Sequence, residues 1–418
     1  MQTTIYPSKL SGTIIPHASK SMIHRVLLCS AFAKSKTIII KPLLSDDIKR
    51  TISIITTLGA KVSIKETALE VTPIQTFKPV NATLECGDSA TTLRMFAPII
   101  AYFNKGATFR ISDQLKRRIK KSDFKFIGLD YEVKGNLITF SELIPKSYYV
   151  VDEMHTTQVV SGLLFLAPLL NKSVTIEIKA SSLDPYLILT SEVLKIFGVE
   201  VEINQSSTIR LTINPTNLEA RSEVLLRNDY SNAAGLMLTA MLSGEAIIKD
   251  HLSLPLLGDE AIFNIVKLMG CEVETKDEET VIIQKSLKPI TFDFSENPDL
   301  APVVIATSTL LPGESIFTGL SRLVDKESNR LVATMQILTN LGAKVSLSND
   351  TLKVQGPTKY EGGRTISSYH DHRIVFMITL IASIAEKPIT ILNSEAINKS
   401  YPTFFNDFAL LGGKYKNE

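Results

Sequence analysis

Cysteine is scarce in this chain of 418 residues: only Cys29, Cys86 and Cys271 occur, far apart and without CxxC or Cys/His spacing. That pattern gives no support to a disulfide framework or a structural zinc site, and it points to a reducing compartment. A charge surplus is also missing. The 45 Lys and Arg balance 43 Asp and Glu to a net +2, which argues against a general binder of nucleic acid or anionic membrane. Any anion specificity must come from local clustering. Long apolar runs are absent as well. The longest, "VVSGLLFLAPLL" and "IVFMITLIASIA", stop at 12 residues, too short to cross a bilayer, and read as buried core helices. The opening "MQTTIYPSKLSGTI" lacks the apolar stretch of a signal peptide and the Arg/Ser richness of a transit peptide, so a cytoplasmic location is expected.

A repeat is what the chain does have. "IITTLGAKVSI", "DFKFIGLDYEV", "VLKIFGVEVEI", "IVKLMGCEVET", "ILTNLGAKVSL" and "DFALLGGKYKN" each end a helical pattern at glycine and begin a strand-like alternation. The glycines, Gly59, Gly128, Gly198, Gly270, Gly342 and Gly412, recur every 69 to 72 residues. Glycine stops a helix most easily because a left-handed residue after the last turn has no Cβ to clash. Polar turns then pair the strands, as in "KVSLSNDTLKVQ". Before each glycine, a polar cluster opens an apolar helix: "SKSMIHRVLL", "GDSATTLRMF", "MHTTQVVSGL", "NDYSNAAGLM", "NPDLAPVVIA" and "YHDHRIVFMI".

Each unit therefore reads strand, buried helix, strand, surface helix, strand, strand. A chain this long favours two domains over one core, so three units fall to each. Every helix start exposes unpaired N–H groups and the positive end of a macrodipole. Three such helices per domain, run parallel toward a cleft between the domains, would attract anions there without a high net charge.

Side chains at those helix starts carry the chemistry. Lys20, Ser21 and Arg25 suit a phosphate or carboxylate, or else are an N-cap serine with solvated cations. His17 and His24 have no partner at a metal spacing and read as structural or surface residues. Thr156, Thr157 and Gln158 fit a hydroxylated or phosphorylated small molecule, or serve as caps. Asp299 in "NPDLAP" heads a very apolar helix, as a cap or, desolvated in a cleft, as a general base. "VDKESNR", residues 324 to 330, reads either as a solvated helix turn or as Glu327 held between the cations Lys326 and Arg330.

Taken in order, "SKSMIHR", "GDSATTLR", "LKRR", "TTQ", "DPY", "NPD", "DKESNR", "DHR" and "NKSYP" resemble the motifs of the 5-enolpyruvylshikimate-3-phosphate synthase family along nearly the whole chain. The resemblance implies an α/β fold of two similar domains, each of three βαβαββ units in an inside-out barrel. Residues 1–18 and 228–418 would form the domain holding both termini and 19–227 an inserted one, with the active site in the cleft between them. It implies transfer of enolpyruvyl from phosphoenolpyruvate (PEP) to the 5-hydroxyl of shikimate 3-phosphate, by addition and then loss of phosphate. The two small-molecule substrates are the only partners expected of what would be a monomer, with no cofactor, metal, nucleic acid or membrane.

Residue by residue, the resemblance puts Lys20, Ser21, Arg25, Thr156, Thr157, Gln158, Tyr186, Asp299 and Lys326 on shikimate 3-phosphate. It puts Lys20, Ala90, Thr91, Arg118, Gln158, Arg330, Arg373 and Lys399 on PEP, along with the segment from Asp88. Asp299 would be the base for the hydroxyl, Glu327 the carrier of the C3 proton and Lys20 a co-acid. Cations beside Glu327 favour its ionised form, so its proton loading is expected to follow substrate binding.

Several positions depart from the family's usual residues. Ala90 stands where glycine is usual, which narrows the PEP pocket and implies reduced glyphosate sensitivity. Leu183 replaces a serine, so that either Ser182 substitutes or one phosphate contact is missing, and Ile119 replaces the proline after the loop arginine. Asn329 replaces a frequent aspartate. The UDP-N-acetylglucosamine enolpyruvyl transferases are the nearest alternative, but they use a loop cysteine that "SDQLKRRIKKSD" lacks. A non-catalytic anion-binding repeat protein would account for six units yet not for Asp299 and Glu327 among cations.

Overall fold

The computed structural model describes residues 1–77, 80, 82–219, 221–249 and 258–418. Among them, strands form six sheets of four, and every sheet is built alike. An outer strand runs parallel to its neighbour, and the next two strands follow antiparallel. In Leu84–Gly87, Ala107–Ile111, Leu137–Phe140 and Tyr131–Lys134 the pairs run in that order. The expected hairpin at "KVSLSNDTLKVQ" is present, with Lys344–Ser348 antiparallel to Thr351–Gly356.

All six repeat glycines have positive φ, between 71° and 107°. The helix-stop chemistry read from the sequence is therefore the chemistry used. The helices opened by the six polar clusters are Lys20–Phe32, Ala90–Phe103, Thr157–Leu166, Tyr230–Leu242, Ala301–Ser308 and His372–Ile384. They are apolar on nearly all sides, and such helices are stable only inside a protein. His372–Ile384 buries all but its last residue.

Ser19, Ser89, Thr156, Asp229 and Asp371 cap five of these helices by accepting a backbone N–H, each such cap contributing roughly 1 kcal/mol. The sixth, Ala301–Ser308, has Leu300 at the cap position with no side-chain bond and Pro302 in its first turn. Proline needs no N–H acceptor there, which leaves the Asp299 carboxylate to other partners.

The chain forms two compact units, Met1–His17 with Asn228–Glu418, and Ala18–Arg227. Only three sheets consist of strands drawn from one continuous stretch. Within Ala18–Arg227, the late strand Glu223–Leu225 pairs with Thr37–Ile40. Within the other unit, Thr13–Ile14 pairs with Glu245–Lys249, and Gln2–Tyr6 lies between Ile389–Leu392 and Lys414–Asn417. The simple unit order read from the sequence thus holds for three units, and the other three borrow a strand from far along the chain.

Candidate active site

In the unit holding both termini, one buried guanidinium organises the acidic residues. Arg330 is the first residue of the helix Arg330–Asn340 and 1% exposed. Its Nη1 donates to Asp299 Oδ1 at 2.6 Å, its Nη2 to Glu327 Oε2 at 2.6 Å, and its Nε to Asp371 Oδ2 at 2.8 Å. Lys326 Nζ reaches the same Asp299 oxygen at 3.1 Å, and Lys399 Nζ lies 3.5 Å from Glu327 Oε1. The segment 325–328 is not a helical turn, so the i,i+4 reading of "DKESNR" does not apply. Asn329 caps the helix through Val332 N–H, and the residues before it are turned inward to carboxylates.

Asp371 ties in another cation. Its Oδ1 accepts the backbone N–H of Arg373 at 2.9 Å and Arg330 Nη2 at 3.2 Å. The Arg373 guanidinium bonds to the Ser231 carbonyl and, at 2.7 Å, to Ser231 Oγ. Arg330, Lys326 and Lys399 therefore converge on Asp299 and Glu327, and Arg373 joins the network through its backbone N–H on Asp371.

Burial works to raise the Asp299 carboxyl, but Lys326, Arg330 and Arg373 together outweigh it and hold it well below the usual range. Burial pulls the Lys326 ammonium down against the attraction of Asp299. Burial opposes the Arg330 charge too, yet three carboxylates hold that guanidinium firmly protonated. Asp259 was not anticipated. Burial, then repulsion from Asp299, pushes it up to about 7, with Arg373 pulling the other way. Two neighbouring carboxyls are thus driven apart in proton affinity, a pattern common where protons are exchanged.

The other unit holds the remaining candidates. Lys20 Nζ bonds to Asp47 Oδ2 at 3.0 Å. Arg25, 2% exposed, points into the interior, where it donates to Thr190 Oγ1, the Ser21 carbonyl and the Tyr186 carbonyl at 2.8 to 3.1 Å. Its guanidinium also lies 6.0 Å from the Tyr186 ring centre. Burial lowers its pKa to about 10, so it stays charged at neutral pH. Thr156 serves as a cap and Thr157 is buried at the helix start.

Ala90 is the first residue of its helix and 4% exposed; Thr91 Oγ1, next to it, accepts Gln158 Nε2 at 2.8 Å. Arg118 ends the short helix Asp113–Arg118, and its carbonyl accepts Arg94 Nη2 at 2.9 Å. Leu183 is buried while Ser182, the proposed substitute, is exposed.

His17 and His24 each hold a structural contact. His17 bonds to Asp407 at 2.8 Å, and His24 is buried on Thr51 with a pKa lowered to about 3 by burial. Among the described residues no group of three or more His, Cys, Asp or Glu could hold a metal ion, and no helix is long and apolar enough to cross a membrane.

Sequence reasoning missed Asp371, Asp47, Asp123 and Asp259 as partners. The available signal was chemical: a buried cation requires a counter-charge or acceptors; Asp371 caps a buried helix, while Asp47 and Asp123 lie in the first turns of Asp46–Thr57 and Ser122–Lys125.

Two solved structures share this architecture along their whole lengths. EPSP synthase from Acinetobacter baumannii superposes with a TM-score of 0.79 at 20% identity, covering 100% of both chains. The enolpyruvyl transferase NikO from Streptomyces tendae gives 0.77 at 15% identity, covering 99% of this chain and 98% of that one. The fold is that of the enolpyruvyl transferases.

The chain belongs within that class to the EPSP synthase (3-phosphoshikimate 1-carboxyvinyltransferase) family, whose model matches residues 5–408. The 3-phosphoshikimate 1-carboxyvinyltransferase of Clostridioides difficile is 32% identical over 430 residues, covering 98% of this chain and 97% of that protein. The enzyme of the same name from Brachyspira hyodysenteriae is 30% identical over 423 residues, covering 99% of each.

Proposed function

We propose that the chain transfers the enolpyruvyl group of PEP to the 5-hydroxyl of shikimate 3-phosphate, as a cytoplasmic monomer without cofactor. The observation that carries the reading is the Arg330 hub, which holds Asp299 and Glu327 each one hydrogen bond from the same guanidinium. Addition needs a proton acceptor at the attacking hydroxyl and a proton donor at the PEP methylene. Asp299 takes the first role and Glu327 the second, with Lys20 assisting.

The hydroxyl oxygen bonds to C2 of PEP while C3 gains a proton. Loss of the C3 proton and departure of phosphate from C2 then restore the double bond. Asp299 is ionised at neutral pH and can accept, although its cation neighbours make it a weak base. The substrate phosphates and carboxylate offset that field when they bind, which raises its proton affinity when it is needed.

Shikimate 3-phosphate falls to Ser21, Arg25, Thr156, Thr157, Gln158, Tyr186, Asp299, Lys326 and Lys20. PEP falls to Lys20, Ala90, Thr91, Arg118, Gln158, Arg330, Arg373 and Lys399. Each charge-assisted contact contributes roughly 1.5 to 3 kcal/mol, so several must act together on each anion. A loop-cysteine acid, as in the UDP-N-acetylglucosamine enzymes, has no counterpart: all three thiols are buried, and burial pushes them up.

The test is phosphate release by the purified protein. It is expected only with both shikimate 3-phosphate and PEP present. No release with the pair, or equal release from PEP alone, overturns the reading.

A further inference from the structure

A second buried arginine does for the Ala18–Arg227 unit what Arg330 does for the other. Arg94 lies one turn beyond Ala90 on the helix Ala90–Phe103. Its Nε and Nη2 donate to Asp123 Oδ2 at 3.2 and 2.8 Å, and the two side chains are 9% and 1% exposed. Nη2 also donates to the Arg118 carbonyl, and Nη1 donates to Gln158 Oε1 at 3.1 Å.

A guanidinium can only donate. It therefore fixes which end of the Gln158 amide faces it: the oxygen turns to Arg94, and the nitrogen is left to donate to Thr91 Oγ1 at 2.8 Å. The Asp123 carboxylate also accepts the Lys120 N–H at 3.4 Å, which ties it to the segment just after Arg118. Three positions assigned above to PEP, namely Thr91, Arg118 and Gln158, thus hang on one guanidinium whose counter-charge is Asp123.

We infer that Asp123 is a positioning residue: through Arg94 it sets the Gln158 amide, the Thr91 hydroxyl and the end of the Arg118 helix, and so sets the affinity for the smaller phosphate ester. The inference rests on the proposed reaction for its substrate names. Loss of the Asp123 charge frees Arg94 to turn to other acceptors, and the Gln158 amide then loses the bond that orients it. Asp123 itself touches no reacting atom in this account, so binding of PEP weakens while the chemical step persists.

Asp123→Asn keeps shape and one acceptor oxygen while removing the charge. In steady-state phosphate release the expected result is a KM for PEP raised about tenfold, a smaller rise in the KM for shikimate 3-phosphate, which shares only Gln158 with this cluster, and kcat within about threefold. In an Arg94→Gln background, Asp123→Asn is expected to add nothing further, because residues acting through one another are non-additive. Should Asp123→Asn prove insoluble, Asp123→Glu keeps the charge but displaces it by one methylene, and the same selective rise in KM is expected.

An unchanged KM for PEP, a parallel rise of both KM values with falling kcat, or full additivity with Arg94→Gln each overturns the inference. A wild-type protein that releases no phosphate overturns the proposed reaction instead; an active wild type with an indifferent Asp123→Asn overturns only the positioning role.

Discussion

Replacing Glu327 by Gln is the most informative single change. Glu327 accepts Arg330 Nη2 at 2.6 Å through one oxygen and faces Lys399 Nζ at 3.5 Å through the other. Gln has the same length and keeps an acceptor oxygen for Arg330. What it loses is the charge and the capacity to carry a proton. Exchanging a charge-assisted bond for a neutral one lowers stability by about 1 to 2 kcal/mol, which a chain of this size tolerates. Removing a proton-transfer group costs about 100- to 10,000-fold in rate, equivalent to roughly 3 to 5 kcal/mol of barrier at 1.36 kcal/mol per decade. The catalytic loss therefore exceeds the structural one.

Initial rates of phosphate release give kcat, and equilibrium titration gives the affinity for shikimate 3-phosphate, expected to stay within about threefold. Running the reaction in deuterium oxide follows proton exchange at the PEP methylene, which is expected to disappear with turnover. A Glu327→Gln protein that binds both substrates and turns over near the wild-type rate would refute the assignment. A protein that no longer binds would show that the charge serves to order the cations rather than to move a proton.

Two further outcomes follow from the helix starts. Ala90→Gly removes the buried methyl at the first turn of its helix and is expected to increase inhibition by glyphosate while leaving the KM for PEP within a few-fold; equal inhibition of both proteins removes the pocket-narrowing argument. Gly162, one turn beyond Gln158, sits where a Cβ would lie 2.8 Å from the Met95 carbonyl oxygen and 2.9 Å from that of Arg94. Gly162→Ala must push apart the helices that bring Gln158 to Thr91. It is expected to lower stability by about 1 to 3 kcal/mol, read as a lower urea midpoint, and to raise the KM for PEP.

Much of this arrangement was legible because its causes are local. A helix stop needs a left-handed residue, and the six glycines recur for that reason. A helix start needs a cap, and Thr156 supplies one as read; before Lys20 the capping serine is Ser19, not Ser21, which lies inside the helix. Asp299 stood out because its helix is so apolar, and the structure shows it bonded to Lys326 and Arg330 instead of capping.

Partner choice was not legible. Nothing local in Glu223–Leu225 says that it belongs beside Thr37–Ile40, since a strand's partner depends on contacts distant in sequence. The same applies to Asp123 and Asp371: each lies 29 or 41 residues from the arginine it neutralises. "DHR" drew attention to Arg373, whereas the aspartate two residues before it does two tasks at once, capping a helix and holding Arg330.

The placement of Gln2–Tyr6 between Ile389–Leu392 and Lys414–Asn417 also governs how the molecule is made. Gln2–Tyr6 is an interior strand of its sheet, and both of its neighbours are synthesised nearly the whole described chain later. At roughly 5 to 20 residues per second, it waits tens of seconds with both hydrogen-bonding edges open. Ala18–Arg227, by contrast, carries every strand of its own three sheets and can close while the ribosome is still translating the remainder. Biosynthesis thus imposes an order: Ala18–Arg227 can mature first, and the other unit is completed only once Lys414–Asn417 has been made.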